Sequence, residues 1–588
     1  MAQIYQDLLK SFGVKMVRQL FKSVFLSVLM ALSQILQVLF NGLAFMGWGS
    51  LVQRMVITAI TTLLGLIALD RASFLAWQRL SWIEPWGEAW LRLDLGFAPE
   101  IWLAVIGVTL GTLVIAISIA AQNIPKITEL YMQDWFSLFY MWFLIGGGCH
   151  AVVVKAIAET QVVQQPSSLA LNVYVLLPAA VLMAVPYVFY VLRSIQPTTV
   201  IEKICRRHLQ RLLRLVSRSA HPSFHQVPVR EACHRELLES LNQLENLLEY
   251  LAFKEPKLQI IQKLSQLLQA FIQLKPKIDP HFFEGSEAIR TDVSFQTMMD
   301  RFPMQQQRNI FYEQKVFRLL GNAYAQLLEE ASFDLAALCG AEVRRVGAVA
   351  IALRDQWVID LVVVRFNTML RFALKHGVNN NEARNLYSLI FHYRGFIEDL
   401  IHQEERQKAR ECFFYLRRYG NEAYALGKLS PALYFIVDVF AAEMRSLLML
   451  VHAQGWPLGT QQQLLVELLK IDSPPQSDPL STELKQLNSG VRTLQISLAL
   501  FYLDVDLPNF AKQIAEDLLD DFRVLGAPLF QETLQGIYEN LQNAQPLFWE
   551  DTDRGNENLY YTTHAQHIGS FKALLMDATH PSNTHDGL

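Results

Sequence analysis

Three hydrophobic runs decide the reading of this chain: IWLAVIGVTLGTLVIAISIAA over Ile101–Ala121, WFSLFYMWFLIGGGCHAVVVK over Trp135–Lys155, and LALNVYVLLPAAVLMAVPYVFYVL over Leu169–Leu192. Each matches or exceeds the roughly 20 apolar residues that cross a bilayer. Directly after the third run, cations recur three or four residues apart at Lys203, Arg207, Arg211, Arg214 and Arg218, with Arg206 among them. Positive charge flanking a span marks its cytoplasmic side. The pattern predicts a transmembrane bundle over 51–193, a basic juxtamembrane helix over 194–220, and everything downstream in the cytoplasm.

The bulk numbers agree. Of 588 residues only 18% are charged, against roughly 25% in a typical soluble domain, and the deficit lies before Arg193. A net charge of −4 argues against nucleic acid as a partner. The five cysteines, Cys149, Cys205, Cys233, Cys339 and Cys412, form no CxxC pair, and the last four are expected to be reduced thiols. The basic start lacks the short apolar core and small-residue site of a cleavable leader.

Upstream lie two further apolar stretches, Val24–Trp48 and Val52–Leu69, and counting alone gives five spans. Working back from a cytoplasmic exit helix, a fifth span would place Lys10, Lys15, Arg18 and Lys22 outside, against the charge rule. Four spans are therefore expected, with residues 1–50 forming a basic segment and an in-plane or re-entrant helix. Gln34, Gln37 and Asn41 continue a polar stripe from Ser27 at helical spacing, as an interfacial helix requires. A fifth span with a packed or pore-lining polar seam is the alternative. The acid-rich outer loop over 70–100 carries Trp82, Trp86 and Trp90 four apart, which reads as an interfacial aromatic helix. Within the spans, Gly146, Gly147 and Gly148 permit close helix contact or a hinge. His150 is an intramembrane ionisable group and so a candidate for ion passage, with helix packing as the alternative. Pro178 and Pro186 should bend the last span.

The run Ala116-Ile-Ser-Ile-Ala-Ala-Gln-Asn-Ile-Pro-Lys126, followed by Tyr131-Met-Gln-Asp134, resembles a bacterial membrane protein family known as domain of unknown function 2254. Asp70 closing its span and Ser194-Ile-Gln-Pro-Thr-Thr-Val-Ile201 fit the same pattern. A fainter likeness lies at Ala373-Leu-Lys-His-Gly-Val-Asn-Asn-Asn-Glu-Ala383, where Lys375-His376 and Asn380-Asn381 stand in place of the family's Ser-Pro and Asp-Pro pairs. The resemblance covers roughly residues 50–400. It implies four spans with a cytoplasmic domain, and it implies no activity.

Beyond the breaker run at 221–228 the pattern is helical. Leu237, Leu241, Leu244, Leu248 and Leu251 recur at amphipathic spacing, and helices are expected over Leu258–Leu274, Phe311–Leu338, Glu342–Lys375, Asn381–Gln407, Ala409–Leu426 and Pro431–Gln454. The β-branched stretch Trp357–Val364 reads as a buried helix segment rather than a strand. A proline-rich linker, Ile471-Asp-Ser-Pro-Pro-Gln-Ser-Asp-Pro479, divides a helical domain at 221–470 from a C-terminal helical group at 480–545. Residues 546–588 read as a polar, disordered tail. Paired helices suggest an α-solenoid, although no strict period is visible. The fold class is all-α.

Catalytic signatures are missing: no phosphate loop, GxGxxG, GxSxG or HExxH. Asp399 and His402 have a carboxylate–histidine spacing with no second pair, and His221, His225 and Cys233-His234 are too isolated for zinc. The expectation is a non-enzyme with no cofactor and no metal. The chain is expected in the bacterial inner membrane, and one four-span protomer with no repeat between its halves is thin for a transporter built on inverted repeats, which favours a pore over a carrier. The functional expectation is an ion-conducting channel or its gate, built as a homo-oligomer. Val52–Leu69 and Ile101–Ala121 would line the path, and Arg206–Arg218 would form a charged vestibule. The alternative is a membrane-anchored helical scaffold for a cytoplasmic protein. In either case Lys203, Arg206, Arg207, Arg211, Arg214 and Arg218 are candidate contacts to lipid or anions.

Overall fold

The computed structural model describes residues 50–79, 97–123, 134–159, 166–296, 308–471, 488–552 and 555–579. The stripe Gln34, Gln37 and Asn41, the tryptophans of the outer loop, the turn containing Pro125-Lys126 and the linker after Ile471 lie outside the described residues. The chain divides into two compact units, Met1–Glu202 and Lys203–Leu588.

In the first unit, α1 (Ser50–Arg79), α2 (Ala98–Asn123) and α3 (Trp135–Glu159) are followed by α4 (Pro166–Leu171), a π-helical turn (Asn172–Leu176) and α5 (Leu177–Ser194). Among the described residues four stretches are long and apolar enough to cross a membrane: Met55–Ala76, Ala98–Ser118, Trp135–Ile157 and Ser167–Ser194. The fourth takes in α4, the π turn and α5. The π turn directly precedes Pro178, whose ring cannot continue the normal ladder of hydrogen bonds. Leu66, Trp102, Leu144, Ala180 and Tyr187 form the interior. Outward-facing positions stay apolar, with Leu103, Leu182 and Phe189 largely exposed. Such a surface is a liability in water and suits a hydrocarbon solvent.

The second unit takes in most of α6 (Pro197–Ser219) and continues through α7 (Val227–Tyr250), α8 (Lys254–Leu274), α9 (Phe311–Glu329), α10 (Phe333–Ala352), α11 (Gln356–Asn380), α12 (Arg384–His402), α13 (Arg406–Leu426), α14 (Ala432–Ala453), α15 (Leu458–Leu469), α16 (Ser489–Asp504), α17 (Pro508–Leu525) and α18 (Ala527–Asn543). From α8 to α17 the helices pair into five hairpins. The even-numbered helices α8, α10, α12, α14 and α16 pack successively in one layer, and the odd-numbered helices form the other.

A period is present in the turns. Arg354, Glu404, Gly455 and Asp506, spaced 50, 51 and 51 residues apart, each end the first helix of a hairpin in the left-handed conformation. Each turn closes with the same pair of bonds, for example Asp355 N–H to Ala350 C=O (3.0 Å) and Arg354 N–H to Ile351 C=O (3.0 Å). This is a Schellman cap, which usually employs glycine. Three of the four are not glycine, and Ala331 and Asn381 adopt the same conformation between hairpins.

Four expectations are corrected here. The single helix foreseen over Phe311–Leu338 breaks at Ala331, and the one over Glu342–Lys375 breaks at Arg354, because left-handed caps end them without a Gly or Pro signal. Trp357–Val364 is helical, as expected, inside α11. The boundary between 221–470 and 480–545 does not divide domains. α16 is buried on nearly every side from Val491 to Tyr502 and packs on α14, so the proline-rich segment interrupts the chain and not the stack. Nor is the described part of the tail disordered. Leu547–Thr552 (β1) and Gly555–Glu557 (β2) pair antiparallel. Ile568–Thr579 (α19) buries Ile568, Phe571 and Leu575, an i, i+3, i+7 stripe that packs on α16 and α17.

Candidate functional site

Polar groups from α1, α2, α3 and the π turn meet in one cluster. Asn172, fully buried, is its centre. Trp102 Nε1 donates to Asn172 Oδ1 at 2.9 Å. An indole N–H can only donate, so this bond fixes the orientation of the amide. Asn172 Nδ2 then donates to Gly147 C=O at 3.1 Å and faces His150 Nδ1 at 2.9 Å. His150 Nδ1 must therefore accept, which places the ring proton on Nε2. That nitrogen faces Asp70 Oδ1 at 3.6 Å, beyond ordinary hydrogen-bond length. Asp70 Oδ1 is itself buried and accepts no hydrogen bond among the described residues. One indole donor thus sets the tautomer of a histidine two contacts away. The π turn positions Asn172, in keeping with the use of such turns at functional places.

The three consecutive glycines lie where α3 approaches its neighbours. A Cβ on Gly146 would meet Leu66 Cδ1 at 2.7 Å, one on Gly147 would overlap the Trp102 indole, and one on Gly148 would stand 3.1 Å from Ile106 Cδ1. At the start of α3, Asp134 Oδ2 accepts from Ser137 N–H (3.1 Å) and Ser137 Oγ (2.8 Å), and Tyr190 Oη donates to Asp134 Oδ1 (3.0 Å). These contacts tie α3 to α5.

The basic helix α6 is two-faced. Cys205, His208, Leu212, Leu215 and Ser219 are buried. His208 Nε2 lies 2.8 Å from Tyr312 Oη, and complete burial pushes the imidazole down to about 3, so it is neutral in the folded protein. Among the candidate cations, Arg211 is committed to α7. Its Nη1 donates to Ser240 Oγ (2.8 Å) and Glu236 C=O (3.0 Å), and its Nε pairs with Glu236 at 3.4 Å. Lys203 and Arg207 are half-buried. Arg206, Arg214 and Arg218 are exposed on the side that also shows Leu209 and Leu213, 38% and 56% exposed.

A third arrangement has no signal in the sequence. Arg344, Arg394 and Arg445 each lie ten residues before the left-handed cap of their hairpin, and each reaches the next even-numbered helix. Arg344 Nε is 3.6 Å from Asp399 Oδ2, and Arg394 Nε is 3.2 Å from Glu443 Oε2. Arg445 Nη1 donates to Ser497 Oγ (2.8 Å), and its Nη2 donates to Leu559 C=O (3.0 Å). Burial lowers the Arg445 guanidinium to about 10. Asp399, which shares a helix face with His402, is thereby paired with Arg344, and its neighbour Glu398 with Arg394. Arginine at a fixed place in successive repeats becomes recognisable only once the period is known.

Comparison with known proteins finds no family model, no curated protein and no solved structure that matches this chain.

Proposed function

We propose that this chain is a membrane-anchored scaffold whose stacked hairpins hold a cytoplasmic protein partner. The stack carries the reading: five hairpins between Lys254 and Leu525 form an extended repetitive surface, the architecture that solenoid proteins use for binding. Its odd-numbered layer presents Trp357, Phe372 and Phe414, each more than a third exposed, near exposed Arg371, Arg410 and Arg418. Aromatic residues and arginine are the common anchors of protein interfaces, and this sign of charge favours an acidic partner. In this reading the membrane is the bacterial inner membrane, and the charge of residues 1–22 and of α6 sets the hairpins in the cytoplasm. Arg206, Arg214 and Arg218 hold anionic headgroups.

Oligomeric ion conduction is the second reading, favoured by the Asp70–His150–Asn172 cluster. It is ranked lower because the outward side of α2 is lined by Leu103, Val108, Val114 and Ile115. The hydroxyls of Thr58, Thr62 and Thr112 bond to carbonyls of their own helices.

Photocrosslinking in living cells from positions 357, 372 and 414 tests the proposal. One recurrent acidic protein partner is expected, lost when Arg371, Arg410 and Arg418 are changed to Glu. No adduct from any position, together with single-channel currents that respond to His150→Ala, would overturn it.

A further inference from the structure

A histidine from the turn after α6 meets an aspartate and a histidine from the turn after α8, more than 50 residues further along the chain. His225 closes the 3-10 turn Pro222–His225, and Asp279 and His281 belong to the turn Pro280–Phe283 and its cap. One ligand atom from each lies within 4.8 Å of the other two. The imidazoles touch, with ring centroids 4.1 Å apart at 71°.

The cluster is held from below. Phe224, beside His225, and Phe282, beside His281, are both buried, and their rings lie 6.5 Å apart. Phe282 packs further on His234, Phe271 and Phe311. The Asp279 backbone N–H donates to Ser219 Oγ at the end of α6 (3.3 Å). Asp279 Oδ1 accepts from the His281 backbone N–H (2.9 Å) and lies 2.7 Å from His281 Nδ1. The base of the site is thus fixed while its three side chains stay partly exposed.

We propose that His225, Asp279 and His281 bind a divalent transition metal ion, Zn2+ foremost. Two imidazoles and a carboxylate are a ligand set for zinc and its neighbours, whereas calcium and magnesium require oxygen-rich shells. Metal–ligand bonds of 2.0–2.1 Å at tetrahedral angles put ligand atoms about 3.3 Å apart. The cluster therefore has to contract by roughly 1.5 Å at its widest, within reach of χ rotations of partly exposed side chains. Water fills the fourth position. Glu284 is nearby, with Oε1 3.9 Å from His281 Nε2, but its other oxygen is paired with Arg230 at 2.9 Å. A bound ion joins the turn that leaves α6 to the turn that leaves α8, and so stiffens the helix that follows the last span.

The test uses full-length protein in detergent without a polyhistidine tag, loaded with Zn2+ and desalted. The expected result is one retained zinc per chain by elemental analysis, lost in the His225→Ala/His281→Ala double variant and weakened in Asp279→Asn. Undiminished retention in the double variant, with helix content unchanged by circular dichroism, overturns the assignment, since the chain has 14 histidines in all. So does a wild-type protein that retains no zinc. X-ray absorption on the wild type alone gives an independent decision. A shell of imidazole nitrogen and oxygen supports the site, and sulfur ligation refutes it.

Discussion

Removing the Arg394 side chain should loosen the stack between α12 and α14. Glu443 is 2% exposed, and Arg394 faces it from the preceding hairpin at 3.2 Å while also donating to Glu398 Oε1 at 2.6 Å. Arg394→Ala takes the guanidinium away from a carboxylate that is shielded from water. Breaking one side of a buried pair costs about 3–5 kcal/mol. At about 1.4 kcal/mol per tenfold, local opening becomes roughly two to three and a half orders of magnitude more frequent. Hydrogen exchange of α12 and α14 peptides, read in the regime where exchange follows the opening equilibrium, measures this directly. Arg394→Met combined with Glu443→Leu removes both charges and should recover most of the protection, because an apolar pair is as stable as a buried ionic one or more so. If the single variant exchanges like the wild type, or the double variant is no better than the single, the ion pair does not hold the hairpins together.

Four further outcomes are expected. Gly147→Ala should destabilise the spans by about 1–3 kcal/mol, since the added methyl overlaps the Trp102 indole. Gly65→Ala, with open space around it, should leave the melting temperature in detergent unchanged or slightly raised. Asn172→Leu removes the acceptor of Trp102 and should lower spans stability by about 1 kcal/mol, as interhelical hydrogen bonds in membranes do, read from thermal melts beside His150→Ala. His208 titrates near 3 when folded and near 6.5 when unfolded. Its neutral form therefore favours the fold fully above about pH 6.5, and the contribution is lost as the pH falls toward 3. His208→Phe should flatten that part of the pH dependence of α6 hydrogen exchange.

Much of this architecture is legible in the sequence because helices announce themselves by periodic leucines and spans by uninterrupted apolar length. What escaped is chiefly what depends on distance along the chain. Trp102 and Asn172 are 70 residues apart, and neither is unusual in its own helix. His225 looks solitary until Asp279 and His281 fold beside it. The hairpin period is hidden because the left-handed caps fall on Arg354, Glu404 and Asp506 rather than on glycine, leaving no punctuation to count. The tail misled through its polar end, which outweighed the short stripe Ile568, Phe571 and Leu575.

The paired layers of α8 to α17 have a mechanical consequence. Each hairpin takes its principal contacts from the hairpin on either side, so the stack behaves as springs in series rather than as a solid block. A small rotation at each junction adds to a large displacement at the far end, and the softest junction sets the compliance of the whole. Arg344, Arg394 and Arg445 cross three of these junctions and act as torsional stops. A load applied near α17 is passed on hairpin by hairpin toward α8, and its size on arrival depends on how those three guanidinium contacts resist twist.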